Sequence, residues 1–163
     1  MKKISLLIII ALLLGTTYIK AQSKANDIPV ADLPASVKQI LDKYVEILNI
    51  ASIDECATKF CEIAGGGLVN EDGKTLRNNV KPYSLKKDHD AIKFYKVPVE
   101  ITRVNKTYSN GQGFGASTIK GTVYKIWIAK KAGGAGMPAP VSIMVPEGHS
   151  SITTPKVVNI GSF

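Results

Sequence analysis

Residues 36–64, SVKQILDKYVEILNIASIDECATKFCEIA, decide the fold class. Apolar side chains at Val37, Ile40, Leu41, Tyr44, Val45 and Leu48 recur at the i, i+3, i+4, i+7 spacing of one helix face. Ser36 with Gln39 three positions on fits a capping box, in which each side chain satisfies an otherwise orphaned amide at the helix start. A second box, Ser52 with Glu55, opens another helix whose stripe is Ile53, Cys56, Ala57, Phe60, Cys61 and Ala64. Gly65-Gly66-Gly67 ends it, because glycine takes up helix-terminating backbone without steric cost. Two helices so close in sequence are expected to pack as an antiparallel hairpin.

Toward the C-terminus the pattern changes. Leu68-Val69 reads as a short strand, and Asn70-Glu71-Asp72-Gly73 has turn chemistry. A third helix is predicted from Ser84 to Tyr95, with Leu85, His89 and Ile92 on its inner side. From Val97 the period falls to two: Val97, Val99 and Ile101 alternate with Pro98, Glu100 and Thr102. Tyr108 to Gly115, with Asn110-Gly111 inside it, reads as a hairpin loop. The return strand is predicted over Ser117–Ala129. Lys130 to Pro140 reads as a glycine-rich connection, and Val141–Val145 and Lys156–Ser162 as the last strands, separated by a turn at Pro146-Glu147-Gly148.

Toward the N-terminus, Met1-Lys2-Lys3 is a short positive segment, followed by an apolar run from Ile4 to Gly15 and a more polar stretch ending in Ala21-Gln22. That is the anatomy of a cleavable secretory signal peptide over residues 1–21, and it resembles bacterial export signals. The run is shorter than the roughly 20 apolar residues of a membrane span, so no stable membrane anchor is expected after cleavage. No cysteine lies near the junction to carry a lipid. Residues 22–35 read as a linker, and residues 36–163 as one domain. The expected location is periplasmic or secreted. Cleavage takes away Lys2, Lys3 and Lys20 and no acid, so the formal charge of +8 falls to +5. The remaining lysines are scattered, and Arg77 and Arg103 are the arginines. Phosphate and base recognition lean on arginine, so the charge reads as solubility and no nucleic-acid partner is expected.

Helices first and strands afterwards argue for an α+β fold, with N-terminal helices packed on an antiparallel sheet. This element order, over about residues 34–163, resembles the nuclear-transport-factor-2-like superfamily, which includes ketosteroid isomerases, scytalone dehydratases, polyketide cyclases and many exported bacterial domains. The resemblance implies a sheet curled into a cone around the helices, with a pocket between the two. Tyr44, Phe60, His89, Tyr124 and Ile126 would line that pocket. A cystatin-like domain, one helix against a sheet, is the rival architecture.

Few motifs carry chemistry. Gly73-Lys74-Thr75 lacks the first glycine of a P-loop, since position 68 is Leu. Gly111-Gln112-Gly113-Phe114-Gly115 lacks the βαβ context of a nucleotide loop. Cys56 and Cys61, five apart on one helix, are about 8 Å apart in helix geometry, too far for a disulfide, and are expected as free thiols. No pattern has metal-ligand spacing, and neither metal nor cofactor is expected. In Asp88-His89-Asp90 the histidine is read as interior and the acids as solvated. The sequence therefore points to an exported binding or interaction domain for an unknown small molecule or protein. The alternative is an isomerase- or dehydratase-like enzyme with His89 and Tyr44 in proton transfer. Val123 and Trp127, on the strand face opposite Tyr124, Ile126 and Ile128, would leave apolar bulk outside and suggest a homodimer.

Overall fold

In the computed structural model, which describes residues 26–132 and 139–163, three helices pack on a five-stranded antiparallel sheet. The elements run β1 (Asp27–Ile28), α1 (Ala35–Leu48), α2 (Ile53–Ile63), α3 (Lys86–Ala91), β2 (Ile101–Gln112), β3 (Ile119–Ile128), β4 (Pro140–Pro146) and β5 (Lys156–Asn159). The strand order is β1-β2-β3-β4-β5, a sheet open at both edges. The α+β class expected from the sequence is the one observed.

Both long helices form where their stripes demand. Val37, Leu41, Tyr44, Val45 and Leu48 of α1 and Cys56, Ala57, Phe60 and Ile63 of α2 are buried. They meet Val104, Tyr124, Ile126, Ile128, Val141, Ile143 and Val157 from the inner face of the sheet in one core. Each Val, Leu, Ile or Phe among them contributes about 1.5–3 kcal/mol by leaving water. Ser52 caps α2 as expected, its Oγ accepting from the Glu55 amide at 3.4 Å. Ser36 does not cap α1. Pro34 holds that position, its carbonyl accepting from Val37 and Lys38, and Ser36 lies inside the first turn.

Other boundaries move for identifiable reasons. Asp27 and Ile28 pair with Asn105 and Val104, so the folded domain begins within the stretch read as a linker. The Asp27 carboxylate is gripped by the Arg103 guanidinium at 2.9 Å, which anchors this short edge strand. Leu68 ends a 3₁₀ turn, and Val69 makes a lone bridge to Leu76 in place of a strand. The third helix is a composite, a π-helical turn Val80–Leu85, then α3, then a 3₁₀ turn Ile92–Phe94. Val97 is 65% exposed and lies outside the sheet, whose strand starts only at Ile101. Pro98 has no amide to give a ladder at that point. The Asn110-Gly111 pair is not the hairpin turn. It sits where the β2–β3 register shifts between Ser109 and Gln112, a bulge, and the turn follows at Gly113–Thr118. The connection expected over Lys130–Pro140 falls mostly on 133–138, outside the described residues.

The outer sheet face is also partly covered. Ile119, Val123, Met144 and Val158 form a second small core, with Ile152 against it. The Arg103 guanidinium lies 4.3 Å from the Trp127 ring centroid and the Lys125 ammonium 5.3 Å. The apolar bulk behind the homodimer expectation is thus smaller than strand alternation alone implied.

Candidate functional site

The helical phase of the third helix determines which polar groups enter the molecule. Leu85 and Ile92 point inward, and the position three residues after Leu85 shares their face as well as the one four residues after it does. The structure uses the former. Asp88 is 1% exposed, while His89 keeps some contact with solvent. The sequence reading of an interior histidine beside solvated acids is corrected here for Asp88. An acid on an apolar helix face signals a buried carboxylate with dedicated donors, because burying an unpaired charge is costly.

Those donors are present. The Tyr44 hydroxyl donates to Asp88 Oδ2 at 2.7 Å, the Gly161 amide to the same oxygen at 2.8 Å, and the Phe163 amide to Oδ1 at 2.9 Å. Burial pushes the Asp88 carboxyl above its ordinary value, against the pull of these hydrogen bonds. Burial and the neighbouring Asp88 charge hold the Tyr44 phenol well above its ordinary value. The Phe163 ring packs on Tyr44 and Tyr95 at centroid distances of 6.0 and 4.6 Å. The network joins α1, α3 and the chain beyond β5. Its acceptor oxygens are taken up by structural donors.

The residues named from the sequence divide accordingly. Tyr44, Phe60, Tyr124 and Ile126 are buried members of the main core. His89 faces elsewhere, its Nε2 donating to the Ile50 carbonyl at 2.7 Å, between α1 and α2. Tyr44 and His89 therefore commit their polar atoms to different partners.

Open space lies instead on the other side of α2. A cleft of about 590 Å³ opens between α2 and residues 74–82. Thr58 and Cys61 from the helix face Lys74, Thr75, Arg77 and Asn78 across it. The segment is built to hold this shape. Asp72 Oδ1 accepts from the Lys74 amide at 2.9 Å, and Asn70 Nδ2 donates to Thr75 Oγ1 at 2.8 Å. The Cys61 thiol donates to the Lys74 carbonyl at 3.1 Å, and burial raises its pKa. The Arg77 guanidinium lies 4.7 Å from the Phe114 ring centroid, and Lys81 pairs with Asp54. Among the described residues no carboxylate forms an ion pair with Lys74 or Arg77. Reading the sequence missed this site. Its cations are separated by loop residues, so no periodicity joins them to Thr58 and Cys61.

A second cleft, of about 530 Å³, adjoins the first at Pro82 and is bordered by Tyr83, Lys86 and Lys87. Among the described residues no group of three or more metal-binding side chains converges, and no helix is long and apolar enough to cross a membrane. The chain has no match among protein-family models, curated proteins or solved structures.

Proposed function

We propose that this chain is an exported binding domain and that the cleft between α2 and residues 74–82 is its ligand site. One observation carries the reading: a braced cleft of about 590 Å³, a size typical of ligand sites, whose apolar floor of Ala57, Leu76 and Pro82 is set among hydroxyl, amide and cationic side chains and the Asp54 carboxylate. The region between helices and sheet, by contrast, is filled by Tyr44, Phe60, Tyr124 and Ile126. Binding is favoured over catalysis because the buried Tyr44–Asp88 pair is occupied by structural hydrogen bonds. Export rests on the charged segment, apolar run and Ala21-Gln22 junction of residues 1–22. The nuclear-transport-factor-2-like relationship belongs to the same proposal, supported by helices preceding an antiparallel sheet.

The test is a thermal-shift screen of the chain lacking residues 1–21 against small-molecule and glycan libraries, alongside Thr58→Trp. Thr58 is exposed on the cleft wall, so the indole fills the cleft and leaves the core intact. Compounds that raise the melting temperature of the parent protein are expected to lose that effect on the variant. Hits indifferent to Thr58→Trp, or no hits at all, overturn the reading.

A further inference from the structure

The two clefts that meet at Pro82 share a chemistry. Lys74, Arg77 and Lys81 stand on one side of that residue, and Lys86 and Lys87 on the other. Against these five cations the lining places two acids, Asp54 and Asp90, each already paired with a lysine of the same face, Lys81 and Lys86. The lining side chains therefore carry a net positive charge, concentrated at Lys74 and Arg77, with Asp72 behind Lys74 and Asp88 behind Lys87. Between the cation groups stands Tyr83, 72% exposed and carried outward on the six-residue π-helical turn Val80–Leu85. Such turns are rare and concentrate at functional sites. Uncharged donors and acceptors, Thr58, Thr75 and Asn78, complete the first cleft.

From this juxtaposition we infer that the paired clefts bind an acidic polysaccharide, a chain of sugar rings bearing carboxylates. The inference rests on the binding reading of the α2 cleft and extends it across Pro82. Each component answers to a part of such a ligand. Lysine ammoniums are point charges without a fixed fork, suited to carboxylates repeated along a flexible chain. The Tyr83 ring offers an apolar face to the C–H face of a sugar. The Asn78 amide matches sugar hydroxyls, and the Thr58 hydroxyl, whose proton goes to the Asp54 carbonyl, keeps an oxygen able to accept from one. A lipid bilayer, by comparison, calls for cations beside an inserting apolar face, whereas the large exposed ring among these lining residues, Tyr83, ends in a hydroxyl and the aliphatic lining, Ala57, Leu76 and Pro82, lies within the clefts. A nucleic acid calls for arginine on its phosphates, and Arg77 is the one arginine of this face.

The experiment measures binding of the chain lacking residues 1–21 to alginate, a polyuronate, at low and high salt. Dextran, single-stranded DNA and anionic phosphatidylglycerol vesicles serve as comparisons. Alginate is expected to bind at low salt and to be released as salt rises, with dextran silent. Lys74→Glu with Arg77→Glu, and separately Lys86→Glu with Lys87→Glu, should each weaken alginate binding roughly tenfold or more. Because Lys87 also holds the Gly161 carbonyl at 2.9 Å, the Lys86→Gln, Lys87→Gln pair and a melting curve for every variant keep unfolding apart from lost binding. Tyr83→Ala should weaken alginate but leave the salt dependence unchanged. Alginate loss confined to the first charge reversal overturns the extended site and leaves the α2 cleft reading standing. Binding indifferent to both reversals places alginate elsewhere and overturns the inference, while the α2 cleft reading is decided separately by the Thr58→Trp screen. No alginate binding, or tighter binding to DNA or vesicles, overturns the polysaccharide assignment alone.

Discussion

Asp88 shows how much one residue's environment adds to its identity. Its two carboxylate oxygens receive one phenol and two backbone amides, all buried with it. In Asp88→Asn the amide nitrogen that replaces Oδ2 cannot accept from the Gly161 amide, which is left without its acceptor. The expected loss is about 1–3 kcal/mol, the cost of an unsatisfied buried donor, read from urea unfolding at neutral pH. Asp88→Asn as stable as the parent would show that the network contributes nothing. The cysteines make a second residue-scale case. Both thiols are free, and burial pushes Cys56 to about 11 and also raises Cys61. Thiolate is the reactive form, so both should alkylate more slowly than a peptide cysteine at neutral pH. Cys61, on the cleft wall, should label before Cys56. Mass spectrometry of unreduced, alkylated protein checks this, and the reverse order would contradict the placement of α2.

At the scale of elements, the pairing of β3 with β4 depends on one backbone position. Gly121 of β3 has φ 147°, and a Cβ there would lie 2.1 Å from the Val145 carbonyl oxygen of β4. Gly121→Ala must therefore separate β3 from β4 or twist both. The expected loss is several kcal/mol, and heating the purified variant should show a much lower melting temperature or no cooperative transition. Helix α2 offers a gentler test. Ser52→Ala removes a long cap hydrogen bond of 3.4 Å and should cost about 0.5–1 kcal/mol, at the low end for caps. A loss above about 2 kcal/mol would mean that Ser52 does more than cap. The third helix shows the limit of reading elements from pattern. Its inner face admits i+3 and i+4 equally, and only packing against α1 and the chain beyond β5 selects Asp88 over His89.

The whole molecule responds to pH through the balance of buried and exposed carboxylates. The native pKa of Asp88 is raised above its ordinary value, so the folded state holds this proton more tightly than the unfolded chain. Its contribution is fully present below the unfolded value, about 3.9, and is lost as pH rises through the raised native value. Asp90 and Glu62, exposed and paired with lysines, are lowered and act in the opposite sense, losing their contribution as pH falls. The parent profile mixes these effects, and subtraction isolates one. The melting-temperature gap between parent and Asp88→Asn should be widest in acid and should narrow as pH rises through the window above 3.9. A gap constant across that range would show that Asp88 titrates as it does in the unfolded chain.

Local spacing alone determined the two amphipathic helices, the Ser52 cap, the α+β class and the strand character of the C-terminal half. Each of these is a periodicity or a short-range hydrogen bond, and a linear pattern carries both. Tertiary structure decided the rest. It added Asp27–Ile28 as an edge strand through the Arg103 pair and made Asn110-Gly111 a bulge rather than a turn. It buried Asp88 instead of His89, and it assembled a cationic cleft from α2 and a loop that share no sequence pattern. Those outcomes depend on which surfaces meet, and a buried charge or a cleft exists only once distant segments have closed around it.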